Sequence, residues 1–574
     1  MRSCKQGTTR AVLRWGPEIN NRGPAMRIAL LICCALLVSA PAVGTPLQAA
    51  TAIDEYVRTH DPSYRWQLVS TKTEEGLTHL IVEFVSQRWL TPSEVDKPEW
   101  RHWLTIAVPD RVVSDVGLLF IGGGSNGRAA PDRAGAEVTA VARATSTVAA
   151  ELRMVPNQPL IFHNDGQPRW EDDLIGYAWA QYLQSGEARW LPRNAMVKAA
   201  VRAMDTVTAA VASQETPNRV DRFVVAGASK RGWTTWLTGA MDERVIAIAP
   251  IVIDVLNAGI SMRHHFAAYG FWAASIGNYV DHGIMQELDN PRLADLYQLV
   301  DPWHYRHRLH MPKYIVNSSG DQFFLPDSSR FYLNGLRGET YLRYVPNADH
   351  SLEGSDALAG LVAFHALIAQ GQKPPQFSWR WDDATLMILT NDVPASVTLW
   401  QAHNSTARDF RLETLGRQYV AASVEQHGPG IYAIQVEVPE SGWTAAFAEL
   451  EYALAGDMTF KLSTDVRVFP DVLPHASRPP HLPASVTLSC VPTDRDGADK
   501  MLRGLGRSLQ REGVASRTHT ASARERVYLN WTPAKSLYDG GREIREQLNA
   551  AGCKAIHVQL ESGKKITLPD LARP

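Results

Sequence analysis

A chain of 574 residues, 45% hydrophobic and 21% charged, has enough apolar material for a large core and for two or three domains. Its 58 Lys and Arg against 60 Asp and Glu leave a formal net charge of -2, so no whole-chain field draws it to nucleic acid or to an anionic membrane, and a small-molecule or peptide substrate fits better. The 17 Trp could line a cleft, although core packing accounts for most tryptophans.

Met26-Arg27, an apolar run over 28–38, and small residues with prolines up to Ala50 have the order of a secretory signal. Residues 1–49 are therefore expected to be a misassigned start plus a signal peptide, with translation beginning at Met26. A run of about 11 apolar residues is too short to span a bilayer, so the protein is expected to be exported, periplasmic or secreted, without stable membrane insertion. Of five cysteines, Cys4, Cys33 and Cys34 would leave with the leader, and Cys490 and Cys553 remain as a candidate disulfide pair. No metal-ligand spacing is present, and no cofactor is expected.

From residue 50 the pattern predicts a short helix (52–60), strands at 65–69, 77–84, 101–108 and 116–121, and the turn Gly122-Gly123-Gly124-Ser125-Asn126-Gly127. A helical stretch, a strand-turn at 159–162 and helices at 171–183 and 194–212 follow. Next come the strand 222–226 and the nearly continuous apolar run 245–255, which suits a parallel strand buried on both faces. This alternation predicts a doubly wound, mostly parallel sheet over residues 50–375. Residues 256–311, too long for an ordinary connection, read as a helical lid carrying His264-His265, Trp272 and Tyr279.

Beyond residue 375 the periodicity changes. Short alternating strands over 376–470 predict an immunoglobulin-like β-sandwich; 471–484 reads as a Pro/His-rich linker, and 485–574 as a βαββαβ, ferredoxin-like domain whose partner the sequence does not identify. In that topology the first and last strands are antiparallel neighbours, which brings Cys490 and Cys553 to one end.

The chemistry concentrates at Gly227-Ala228-Ser229-Lys230-Arg231-Gly232, between the strand 222–226 and a helix carrying Trp233, Trp236 and Leu237. A strand, tight turn and helix expose a serine hydroxyl above the sheet, beside the N–H groups of the helix N-terminus. Such a nucleophile needs a base and an orienting carboxylate. Asp321 follows the strand 313–317 and His350 follows 341–345, both at C-terminal strand ends and in the order Ser, Asp, His. Asp254, at the end of the 245–255 run, is the alternative acid. The oxyanion hole is expected from the Lys230 N–H and from the Gly123, Gly124 and Ser125 loop. Arg231 stands where the usual second glycine would be, and either Lys230 or Arg231 could bind an anionic group. Glucuronoyl esterases carry a similar G-x-S-R-x-G turn.

The segments Arg88-Trp89-Leu90-Thr91-Pro92-Ser93-Glu94-Val95-Asp96, His102-Trp103-Leu104-Thr105-Ile106, 227–236, Ile251-Val252-Ile253-Asp254-Val255-Leu256-Asn257, 320–329 and 343–352 resemble the PhoPQ-activated pathogenicity-related proteins, a family that includes secreted autocrine proliferation repressors. The resemblance covers roughly residues 50–470. It implies an exported α/β-hydrolase, linked in bacteria to a regulon for host-defence peptides, without a settled substrate. The expected activity is that of a serine hydrolase cleaving an ester or amide through an acyl-enzyme, with a carbohydrate esterase and a catalytically idle signalling protein as alternatives.

Overall fold

The computed structural model describes residues 50–477 and, beyond them, the segments 486–490, 495–511, 515–523, 526–533, 557–560 and 565–567. The leader, Cys553 and the second helix expected near the C-terminus lie outside the described residues. Helix α1 (Ala52–Arg58) starts at a capping box, in which Thr51 and Asp54 each satisfy the other's backbone N–H. Strands β1 (Arg65–Glu74), β2 (Leu77–Arg88) and β3 (Glu99–Pro109) then form an antiparallel meander.

From β4 (Val116–Ile121) onward strands and helices alternate: α2 (Ala136–Thr145), β5 (Ala149–Leu152), α3 (Glu171–Ser185), α4 (Pro192–Ala212), β6 (Arg222–Ala228), α5 (Lys230–Met241) and β7 (Val245–Ile251). The insertion contributes α6 (Ala258–Tyr269), α7 (Gly277–Asp281) and α8 (Pro291–Val300) before β8 (Lys313–Ser318), β9 (Thr340–Val345) and α9 (Ala357–Ala369). The nine strands lie in the order β1-β2-β3-β5-β4-β6-β7-β8-β9 and are parallel from β5 to β9. Phe223, Val224, Val225 and Ala226 of β6 are fully buried, as a central strand covered on both faces requires. The chain leaves β4 for β5 on one side and then enters β6 on the other, so the crevice at these strands' C-terminal ends is a topological switch point.

Two local readings give way. The stretch read as helical breaks after Thr145, and Ala149–Leu152 becomes β5, wedged between β3 and β4. Ala-Ala-Glu-Leu has little strand preference of its own, and pairing on both edges decides it. The strand expected at 159–162 reduces to isolated bridges, Leu160 with Arg169 and Phe162 with Val95.

After residue 375 come β10 (Phe377–Asp382), β11 (Thr385–Thr390), β12 (Ser396–Asn404), β13 (Val420–Ser423), β14 (Ile431–Gln435), β15 (Trp443–Ala453), β16 (Thr459–Ser463) and β17 (Arg467–Phe469). They form two antiparallel sheets, β10-β11-β14 and β13-β12-β15-β16, with β17 paired to β15. The core continues across residue 375. The Phe460 ring lies 4.9 Å from Tyr314 of β8, the Tyr314 hydroxyl donates to the Lys461 carbonyl at 3.2 Å, and the Tyr344 N–H donates to Ser463 Oγ at 2.8 Å. A buried ion pair, Arg408 to Asp327 at 2.6 Å, ties the same regions together. The last sheet, from β18 (Val486–Cys490), β19 (Ala515–Ala523), β20 (Arg526–Pro533), β21 (His557–Leu560) and β22 (Lys565–Thr567), is antiparallel in the order β19-β20-β18-β21-β22, with α10 (Arg495–Arg511) between β18 and β19. Ser489 pairs with His557, which sets Cys490 at that end of the pair.

Candidate active site

Ser229 sits between β6 and α5 with φ 58° and ψ -125°, a conformation that costs an L-residue about 1–3 kcal/mol and persists only where the surroundings impose it. Two glycines impose it here. A Cβ on Gly227 would lie 2.8 Å from the Arg231 carbonyl oxygen, and one on Gly232 would lie 2.9 Å from the carbonyl oxygens of Gly227 and Ile251. The turn closes so tightly against β7 that only hydrogen atoms fit, while the Ser229 N–H donates to the Ile251 carbonyl at 2.8 Å. The N–H groups of the first turn of α5, Lys230 foremost, have no partner within the helix.

His350 follows β9 and Asp321 follows β8. His350 Nδ1 and Asp321 Oδ2 are 2.7 Å apart, and Asp321 is 4% exposed. The other carboxylate oxygen of Asp321 accepts the Phe323 N–H at 2.7 Å, which fixes the carboxylate plane. His350 Nε2 is buried without a hydrogen-bond partner. With Nδ1 facing a carboxylate, Nε2 is the nitrogen left to accept a proton. The Phe323 ring packs on the imidazole at 4.4 Å, and Phe323 and Phe324 line the same cavity as Ser229.

Asp254, three residues beyond β7, is spent elsewhere. Its two oxygens accept the hydroxyls of Tyr332 at 2.6 Å and Tyr344 at 2.5 Å. Burial pushes its carboxyl up to about 8 in spite of these donors.

Neither cation of the turn is free. Lys230 Nζ lies 2.9 Å from Glu171 Oε2 and 3.2 Å from Asp172 Oδ2, and Arg231 binds both oxygens of Glu171, at 2.6 and 2.8 Å. Against the cost of burial, these two cations hold the Glu171 carboxyl at about 2. The Arg231 guanidinium also lies over the loop after β4, where a Cβ on Gly123 would meet it at 2.9 Å. Gly124 has φ 124° and its carbonyl accepts from Gln158, while Ser125 Oγ accepts from Arg128 at 3.2 Å. Gly123 thus packs against Arg231, and Gly123, Gly124 and Ser125 are not among the residues that line the cavity at Ser229.

That cavity, of about 50 Å³, has Ser229 and Lys230 at one wall and Trp179, Trp233, Tyr279, Tyr297, Phe323 and Phe324 around it. The 256–311 insertion covers it, with Ala258, Met262, Ile276, Tyr279, Met285 and Tyr297 on the lining. The Tyr279 hydroxyl donates to Asp172 at 3.0 Å. His264 and His265 turn elsewhere: His264 pairs with buried Asp327 at 3.0 Å, and His265 Nε2 accepts the Ala273 N–H at 3.2 Å. Sequence reading passed over Glu171, Asp172 and Arg193. Only the three consecutive acids opening α3 hinted at the first two; Arg193, one residue past a helix-opening proline, gave no signal.

Residues 53–411 match the family described as PhoPQ-activated pathogenicity-related protein. Autocrine proliferation repressor protein A of Dictyostelium discoideum is 37% identical over 482 residues, covering 78% of this chain and 95% of that protein. Among solved structures, an acetyl xylan esterase from Paenibacillus sp. R4 is similar with a TM-score of 0.40 and 13% identity over 55% of this chain and 92% of its own. Acetyl xylan esterase 1 from Thermoanaerobacterium sp. JW/SL YS485 gives 0.36 and 14% over 57% and 99%.

Proposed function

Since the chain belongs to the PhoPQ-activated pathogenicity-related protein family, and since it carries a strained serine just after β6 and a carboxylate-held histidine after β9, we propose that it is a serine hydrolase acting on an ester or amide. Ser229 attacks the carbonyl, His350 Nε2 takes the serine proton and later delivers it to the leaving group, and Asp321 fixes the imidazole and stabilises its cation. The Lys230 N–H, at the helix N-terminus, faces the developing oxyanion. An acyl-Ser229 forms, and a water molecule activated by His350 resolves it. The observation that carries this reading is the buried His350 Nε2, unpartnered while Nδ1 lies 2.7 Å from Asp321.

Export after removal of a leader ending near residue 49 remains part of the proposal, as do an immunoglobulin-like pair of sheets after residue 375 and a ferredoxin-like tail, the latter supported by its strand order. The family's description motivates a role in pathogenicity. A second reading, a signalling protein that keeps the hydrolase shell without turnover, draws on the name of the Dictyostelium relative. A fluorophosphonate probe separates them: labelling of the folded protein that vanishes in Ser229→Ala supports the enzyme, and a folded protein that resists labelling favours the signalling reading. A panel of p-nitrophenyl esters against aminoacyl nitroanilides then distinguishes ester from amide substrates.

A further inference from the structure

Arg193, near the start of α4, is 1% exposed and lines the cavity beside Ser229. Its Nη1 donates to the carbonyl of Lys230, the residue after the serine, at 2.9 Å and approaches Met196 Sδ at 3.9 Å; its guanidinium carbon lies 4.7 Å from the Trp233 ring centroid. Its Nε is buried with no hydrogen-bond partner, and among the described residues it forms no ion pair with a carboxylate. A guanidinium buried without a counter-ion is expensive, and burial lowers its proton affinity.

The neighbouring carboxylates favour its charge only through space, from beyond ion-pair distance. Glu171 and Asp172 are the carboxylates at hand, and both face the Lys230 and Arg231 cations. Three cations against two carboxylates leave one positive charge in an aromatic-walled cavity next to the nucleophile. The turn's own Lys230 and Arg231, ion-paired to Glu171 and Asp172, are therefore poor anion receptors, and the cation without an ion pair is the one the sequence did not single out.

We propose that Arg193 receives a carboxylate of the substrate, so that the preferred substrates are esters or amides bearing a second, anionic carboxyl a few bonds from the scissile carbonyl, as in half-esters of short dicarboxylic acids. This rests on the Ser229 hydrolase reading and adds substrate class to it. The short reach follows from the hydrogen bond between Arg193 and the Lys230 carbonyl, which keeps the guanidinium within a residue of Ser229. A guanidinium fork matches a carboxylate with two parallel N–H donors, and aromatic walls raise the strength of such a pair by excluding water.

The test uses the full chain carrying Ser229→Ala, which cannot turn over, titrated calorimetrically with monomethyl glutarate and with dimethyl glutarate. The monoanion is expected to bind about tenfold or more tightly than the neutral diester. That ratio should collapse when Arg193→Met is added and survive in part with Arg193→Lys. Equal binding of the two esters by the protein that retains Arg193, or binding of neither, overturns the proposal without need of any Arg193 variant, as does a preference that persists in a folded Arg193→Met protein. Fluorophosphonate labelling of the wild type reports on the hydrolase reading separately. A labelled protein indifferent to charge loses the anion site alone, whereas an unlabelled one that prefers the monoanion loses the hydrolase and keeps the site.

Discussion

Asp254 and Asp321 stand at equivalent places, just past the C-terminal ends of the adjacent parallel strands β7 and β8, and both are almost fully buried. Their partners differ. Asp321 meets an imidazole that can carry a proton to and from a neighbour, whereas Asp254 meets two tyrosine hydroxyls that cannot do so near neutral pH. Burial raises Asp254 to about 8. Position in the sheet makes a carboxylate available to the site; the atom it contacts decides whether it is an orienting acid or a structural one.

The contrast can be broken in several ways. Ser229→Ala removes the nucleophile that the acid-held histidine would deprotonate, and should cut hydrolysis of a p-nitrophenyl ester by about 10⁶-fold, with CD unchanged. Asp321→Asn should lower kcat by about 10⁴-fold by disturbing the histidine tautomer, while Asp254→Asn should lower it by less than about tenfold; comparable losses from the two substitutions would erase the distinction.

A third carboxylate sharpens it. Glu171 holds cations rather than an imidazole, so Glu171→Gln leaves Lys230 and Arg231 short of charge and should cost about 2 kcal/mol in urea denaturation, less than for a fully buried pair because Glu171 is partly exposed. Its folded carboxyl titrates near 2 against 4.5 when unfolded, so this contribution is present above pH 4.5 and is lost as pH falls toward 2. Asp254 has the opposite sign. With its carboxyl at about 8 in the fold and 3.8 outside it, the native state binds the extra proton between those values, and stability falls as pH rises from 3.8 to 8. Asp254→Asn should flatten that part of the melting-temperature profile, a smaller effect that differential scanning calorimetry at pH 5 and pH 8 would read.

Legibility from sequence followed the range of the interactions. The turn at Ser229 was readable because strand, glycines, serine and helix are consecutive, and the clash that excludes side chains at Gly227 and Gly232 arises largely within the same few residues. The split of the helical stretch after the glycine turn was not, because β5 exists through its pairing with β3 and β4. Lys230 and Arg231 looked like free cations for the same reason: their carboxylates come from the start of α3, about sixty positions earlier, and nothing local announces the meeting. Gly123 shows the converse, a glycine legible as a loop residue whose neighbour, the Arg231 guanidinium, was not.

By itself, then, the sequence determined the alternation that builds the parallel sheet, the strained serine turn, and the strand ends that carry Asp321, Asp254 and His350, because each is written in periodicity or in a few adjacent residues. Only the tertiary structure decided which aspartate touches the histidine, which cations are ion-paired, and that Arg193 is buried beside Ser229 with no ion-pair partner among the described residues. Those outcomes depend on distances between segments far apart in the chain, and charge in a buried site is a sum over everything that packs there.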